Sequence, residues 1–356
     1  MLHPQETAGP GLEGRRAAPG ARFDDIDRVK AVAIILVVAG HISDSQSPSW
    51  WRTLRFDIYN FHMPLFMYLS GYVYFRAVNS PKNSRFWPFC TSRANRLLVP
   101  FFVFGIGIIN IKFFARNYAD LRRSGFSYID GYKFLLINTS QNPAYDLWYL
   151  FVLFVFSVTS YHAMRKSTHW ISVLFSMSLI AYGVFAYYEP RGGMTDEIYL
   201  DHLCWFYIFF VIGAIACRWR ERLYTIQKKI WPVAMVLFFL SQFAINHPDF
   251  AFVSGWRFLI VGCLSIAFLH GMFLGPCPYF GSLFHELSAN TLMIYLFNSM
   301  IIAGLQQTVF KAHPLSIQPY VIQVVILTAA ATVLPILLRF VLSRISFLGR
   351  VNSYLT

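Results

Sequence analysis

The sequence predicts an all-α integral membrane protein: a single bundle of about ten transmembrane helices with both termini cytoplasmic. Three observations carry that prediction. Hydrophobic residues make up 56% of the 356 positions and charged residues only 13%, too few to cover a soluble domain of this size. Apolar runs of about 17–22 residues recur along the chain, the length that crosses roughly 30 Å of hydrocarbon. The basic residues are also segregated. With the N-terminus inside, alternate connections between the runs put the whole net charge of +13 on the cytoplasmic face. Membrane insertion accounts for that asymmetry, so the basicity does not argue for a nucleic-acid partner.

Residues 1–22 are rich in Gly, Pro and Arg, contain no apolar stretch, and read as a disordered cytoplasmic tail rather than a signal peptide. Spans are expected at 29–45, 57–77, 97–115, 146–163, 169–188, 202–217, 231–246, 257–274, 287–308 and 319–342. They form one domain, 23–345, followed by a short cytoplasmic tail at 346–356. Each span has to be helical, because lipid offers no partner to an unpaired backbone group. The cysteines (Cys90, Cys204, Cys217, Cys263 and Cys277) form no CxxC pair and read as small hydrophobes, so no disulfide or metal site is expected. The connection between the third and fourth spans is external yet basic, with Lys112, Arg116, Arg122, Arg123 and Lys133. It suits either an acidic glycan or snorkelling at the interface.

The first helix departs from the pattern. Its uninterrupted apolar stretch runs only from Ala31 to Gly40 and ends on His41. So short a stretch suits a helix facing a water-accessible cavity rather than lipid. Lys30 and His41 lie eleven residues apart, about 20° out of phase and roughly 16 Å along the axis, hence on one face. Arg28 points the other way. A neutral imidazole at this depth is suited to take a proton from a hydroxyl, and a fixed cation three turns away to meet an anion. The plainer explanation for His41 is a hydrogen bond to a neighbouring helix. In the second span Pro64 sits where a helix can start, after His62, while Ser70 and Gly71 allow close approach of a helix or a substrate.

No GxGxxG, P-loop, HExxH or GxSxG motif is present, so nucleotide, zincin and serine-hydrolase chemistries lack support. His270 reads as packing near the inner boundary, and His162, His169 and His313 as residues of span ends or loops. Acid-bearing spans are scarce beyond the first helix, which counts against an ion-coupled transporter.

Several strings then become recognisable together. They are Ile26-Asp27 through Lys30 to Val-Val-Ala-Gly40-His41, Phe61-His62-Met63-Pro64-Leu65-Phe66 with Ser70-Gly71-Tyr72, and Arg93-Ala-Asn-Arg96-Leu-Leu-Val-Pro100. Leu147-Trp148-Tyr149-Leu150 and Asn290-Thr291-Leu292-Met293-Ile294-Tyr295-Leu296 complete the set. In order and spacing they resemble the acyltransferase family 3 membrane proteins, which move acyl groups, often acetyl, onto cell-surface carbohydrates. The resemblance implies a multi-pass enzyme of the bacterial inner membrane that binds no cofactor. Its donor would be acyl-CoA, acetyl-CoA above all, and its acceptor an exopolysaccharide or a lipid-linked glycan.

Under that resemblance His41 is the general base for a sugar hydroxyl attacking the thioester, or else a transient acyl carrier. Lys30 belongs to the same catalytic group, and His62 is a second candidate or orients the acceptor. Arg93, Arg96 and Ser70 are expected to bind acyl-CoA, the arginines through its phosphates or, more simply, as positive-inside anchors. Trp148, Asp146 and Asn298 are expected on the acceptor side, Trp148 stacking on a sugar or belonging to the aromatic belt. Two positions depart from the family. Lys30 stands where Arg is usual and loses the bidentate fork; Asn298 stands where many members have His. The competing reading is a transporter or flippase of lipid-linked glycan without acyl-transfer chemistry.

Overall fold

The computed structural model describes residues 24–44, 47–115, 127–166, 168–188, 197–247, 255–275, 281–310 and 320–344. The tails predicted at 1–22 and 346–356 lie outside these residues, as do Arg116, Arg122, Arg123, Cys277 and His313. Among the described residues the protein is helical with no strand.

Each predicted span is occupied by a helix. In chain order these are α1 (Asp24–His41), α2 (Ser49–Tyr59), α3 (His62–Val78), α4 (Phe86–Ala115), α5 (Tyr128–Lys133), α6 (Trp148–Thr159) and α7 (Tyr161–Lys166). They continue with α8 (Thr168–Tyr188), α9 (Leu200–Arg218), α10 (Arg220–Ile245), α11 (Arg257–Phe273), α12 (Gly281–Ala289), α13 (Thr291–Leu305) and α14 (Tyr320–Arg344). Among the described residues, six helical segments are long and apolar enough to cross a membrane: Phe86–Phe114, His169–Tyr188, Leu200–Arg218, Arg220–Ile245, Thr291–Phe310 and Tyr320–Arg344. α1 is not among them, because Asp24, Asp25, Asp27, Arg28 and Lys30 crowd its first two turns.

Several predicted boundaries move. The first span ends at His41 rather than 45. The second is broken at Asn60 and Phe61, where Phe61 leaves helical geometry (φ −135°, ψ −22°) before α3 begins. Pro64 then occupies the first turn of α3, where its missing N–H costs nothing. The fourth span is interrupted at Ser160, and the ninth at Asn290, which separates α12 from α13.

α1 and α3 form the interior. Val29, Ala31, Ala33, Ile34 and Val38 of α1 are sealed from solvent, as are Leu65, Met67, Tyr68 and Tyr72 of α3. α3 lies against α9 at the spacing that small residues permit: a Cβ on Gly71 would collide with the Phe210 carbonyl, and one on Gly213 with that of Tyr68. Of the adjacent pair noted in the second span, Gly71 therefore serves helix contact and leaves Ser70 to another surface. Cys90, Cys204, Cys217 and Cys263 are free thiols.

Candidate active site

A cavity of about 170 Å³ opens along one face of α1, walled by α3, α4, α6, α12 and α13. Its cations are Lys30, Arg93 and Arg96, and its other polar groups include Ser70, Tyr149, Ser288 and Tyr295. No acidic residue lines it among the described residues. Every string that carried the family resemblance contributes to the wall: Lys30 and Val37, Phe66 and Ser70, Arg93 and Arg96, Tyr149, and Tyr295. Lys30 and Val37 line the cavity and lie on the same helical face as His41, which is not itself among the lining residues.

At the Lys30 end the cations are held in place. The Lys30 ammonium donates to the Ser288 carbonyl at 3.3 Å, and the Ser288 hydroxyl donates to Asp27 at 2.5 Å. The Arg93 guanidinium lies 5.1 Å from the Phe89 ring centroid and 5.6 Å from that of Tyr74, a cation–π seat that fixes it without neutralising it. Arg28 faces away, donating to the Gly275 carbonyl at 2.7 Å and to that of Phe273 at 3.3 Å.

At the other end, His41 Nδ1 lies 3.7 Å from Asp146 Oδ1, with 17% of the histidine side chain and 45% of the aspartate side chain exposed. Both groups therefore reach solvent and each other. The turn carrying Asp146 is pinned from two sides. The Tyr295 hydroxyl donates to the Asp146 carbonyl, and Lys112 Nζ donates to that of Pro143 at 2.6 Å. The Tyr295 and Tyr149 rings meet at 5.5 Å, and the Tyr149 hydroxyl lies 2.5 Å from Ser70 Oγ, so side chains in contact link the cavity wall to the His41–Asp146 pair.

His62 is buried near this pair. Its Nδ1–H donates to the Ile58 carbonyl at 2.8 Å, bridging the break between α2 and α3, and its ring meets Tyr59 edge-on at 4.9 Å. It lies within electrostatic reach of His41. Trp148 does not line the cavity: it stacks on Phe206 at 5.1 Å and lies 4.0 Å from the His202 ring, leaving 7% of it exposed. A sugar would find that face occupied. Asn298 is also turned inward, its amide donating to the Tyr295 and Ile294 carbonyls of its own helix at 2.6 and 3.1 Å. Asp146, expected on acceptor hydroxyls, instead stands beside His41.

His270 does more than pack. It is fully buried, with Nε2 3.2 Å from Asp25 and Nδ1 2.5 Å from the Tyr68 hydroxyl. Arg220 and Tyr224 converge on the same carboxylate. Burial pushes the Asp25 carboxyl up, but the His270 and Tyr224 hydrogen bonds and the charges of His270 and Arg220 outweigh it, holding the pKa below the usual carboxylate value. This cluster ties the start of α1 to α3, α10 and α11. A lone histidine and an N-terminal acid far apart in the chain gave no spacing from which to find it.

The fold and the cavity together describe a helical membrane protein with an internal cationic cavity beside its first helix. The chain matches the acyltransferase domain of acyltransferase family 3 over residues 23–340, and it belongs to that family. It is also similar to nodulation protein NolL of Sinorhizobium fredii (strain NBRC 101917 / NGR234), at 30% identity over 173 residues. That match covers 46% of this chain and 44% of NolL, so the chain spans less than half the length of that relative. No solved structure matches at a significant level.

Proposed function

We propose that the protein is a ten-span O-acyltransferase of the bacterial inner membrane with both termini cytoplasmic. It would move an acyl group, acetyl in the simplest case, from cytoplasmic acyl-CoA to a hydroxyl of an exopolysaccharide or other cell-surface glycan. The observation that carries this reading is the convergence of Lys30, Arg93 and Arg96 on one cavity walled by the face of α1 that also carries His41. A cavity that combines three cations with a largely apolar lining suits a donor with phosphates at one end and a thioester at the end of an extended arm.

The chemistry follows from the arrangement. Asp146 orients the His41 imidazole and stabilises its protonated form. His41 removes the proton from the acceptor hydroxyl as the oxygen attacks the thioester carbon. The carbon–sulfur bond then breaks, and the coenzyme thiolate leaves and recovers that proton from the imidazolium. Ser70 and Tyr149, joined by their hydroxyls, lie on the wall that the acyl arm would pass.

The test is the O-acyl content of the surface glycan, measured by mass spectrometry in cells lacking the gene and complemented with variants. His41→Ala at wild-type membrane levels is expected to abolish acylation, and Asp146→Asn to lower its rate by about 10- to 100-fold. Unchanged acylation with His41→Ala sinks the assignment and leaves transport of a lipid-linked glycan as the better reading.

A further inference from the structure

α2 packs over the end of α1 that carries His41. The Trp51 Nε1–H donates to the Ile42 carbonyl at 2.9 Å, and a Cβ on Gly40 would lie 3.3 Å from the Tyr59 ring. Tyr59 also meets the His62 ring at 4.9 Å and stands within electrostatic reach of Asp146. The last residue of α2 therefore borders the groups to which the proposed chemistry belongs. One turn earlier on the same face, the Arg55 guanidinium lies 5.4 Å from the Tyr59 ring centroid and bonds to its hydroxyl. Tyr59 is 38% exposed and Arg55 part-buried, so ring and cation both border solvent here.

The plain explanation is an interfacial anchor, a short amphipathic helix whose arginine snorkels toward headgroups. The placement of Arg55 argues otherwise. It folds back over Tyr59, and its Nε is sealed from solvent with no hydrogen-bond acceptor among the described residues. No acidic residue among them forms an ion pair with it either. Other part-buried arginines are spent: Arg28, Arg165 and Arg339 donate to backbone carbonyls, and Arg220 pairs with Asp25 at 3.1 Å. A buried N–H without an acceptor calls for one that the described residues do not supply. A guanidinium matches carboxylate or phosphate oxygens in pairs, and the ring beside it offers a flat surface to a sugar.

We propose that Arg55, seated on Tyr59, is an acceptor subsite for an anionic group, a carboxylate or phosphate that the glycan carries near the hydroxyl to be acylated. The inference rests on the acyl-transfer reading and adds to it the charge of the acceptor. It separates the two substrates, because Lys30, Arg93 and Arg96 line the donor cavity and Arg55 does not.

The test is glycan binding without donor to the full chain in lipid nanodiscs, so that it does not depend on turnover. Two pairs of probes are compared. The first is the parent cell's surface polysaccharide, freed of O-acyl groups by mild base, with and without reduction of its carboxyl groups to alcohols. The second is the lipid-linked diphosphate glycan before and after its release by mild acid. Wild type should favour the anionic member of one pair about tenfold, the worth of one charge-assisted hydrogen bond. A preference in the first pair identifies a sugar carboxylate, and one in the second a lipid phosphate. Arg55→Gln should bind both members alike, with the neutral one held as in wild type, and Arg55→Lys should keep part of the preference. Wild type with neither preference overturns the subsite, as does Arg55→Gln with the preference retained or with both members weakened equally. Arg257→Gln removes a cation 5.6 Å from the Phe56 ring, on another side of α2, and should leave the preference intact. An equal loss there would mark general surface charge and also overturn the assignment. Transfer of label from radiolabelled acetyl-CoA, compared between wild type and His41→Ala, is scored separately. Its absence fails the acyl-transfer reading, whereas the binding preference alone decides the subsite.

Discussion

α1 carries a histidine–carboxylate pair at each end, and the two are built in opposite ways. At its start, Asp25 meets His270, which has no exposed surface, bonds through both ring nitrogens, and shares its carboxylate with Arg220 and Tyr224. At its end, His41 keeps 17% of its side chain exposed and faces a half-exposed Asp146 across 3.7 Å. A saturated, buried pair is a fastener, since removing one member strands a charge. A loosely paired imidazole open to solvent can gain and lose a proton without disturbing the fold. The two pairs are alike in residue type and differ in saturation and exposure.

The largest expected effect breaks the comparison if it comes out reversed. His270→Ala should lower stability by about 3 kcal/mol, the order measured when one partner of a buried pair is removed. His41→Ala should leave stability within about 0.5 kcal/mol, as for a solvent-accessible site, while losing activity by at least about 100-fold. Melting of purified protein in detergent, alongside the glycan assay, reads both quantities. An inactive but stable His270→Ala protein would move the chemistry to the other end of α1.

A smaller effect sharpens the role of the cationic end. Lys30 reaches the Ser288 carbonyl and shares the cavity wall with Arg93 and Arg96; under the proposed function these three cations would meet the donor's phosphates. Lys30→Ala is expected to raise the acyl-CoA concentration for half-maximal rate about tenfold, the cost of one charge-assisted hydrogen bond. Lys30→Arg, the residue usual in the family, should stay within about twofold of wild type. Equal behaviour of all three proteins, read from the initial rate against acyl-CoA concentration, would reduce Lys30 to an anchor.

What the sequence made legible follows from which interactions are local. The Lys30–His41 face came from helical period alone, and the opposed placement of Arg28 agrees with its bonds to the end of α11. Helix positions came from hydrophobic run length. The breaks at Asn60, Ser160 and Asn290 did not, because run length marks where a span lies and not where its helix is interrupted. Arg93 and Arg96 were expected at a donor site only through the resemblance, and the placing of Tyr149 and Tyr295 on the same cavity was not expected at all. Asp146 as the partner of His41 depends on packing between distant helices and leaves no trace in spacing. Trp148, for which the sequence offered a sugar or the aromatic belt, is held between Phe206 and His202, a packing that depends on α9 and that its own string does not reveal.

The mildest expected effect concerns acid. Asp25 precedes the apolar stretch of α1, and its partners hold its carboxyl below the ordinary value in the folded protein. Its contribution to stability is therefore fully present above the unfolded carboxylate pKa of about 3.9 and fades as pH falls through the lower folded value. Melting temperature should decline between about pH 4 and pH 2 in the wild type, and the part of that decline due to this cluster should vanish in Asp25→Asn. Asp146→Asn alters a half-exposed side chain 3.7 Å from its partner and should melt in parallel with wild type across the same range. A flattened acid limb in Asp146→Asn, with a normal one in Asp25→Asn, would mean that the pair beside His41 is the fastener, and the contrast between the two ends of α1 would have to be drawn the other way round.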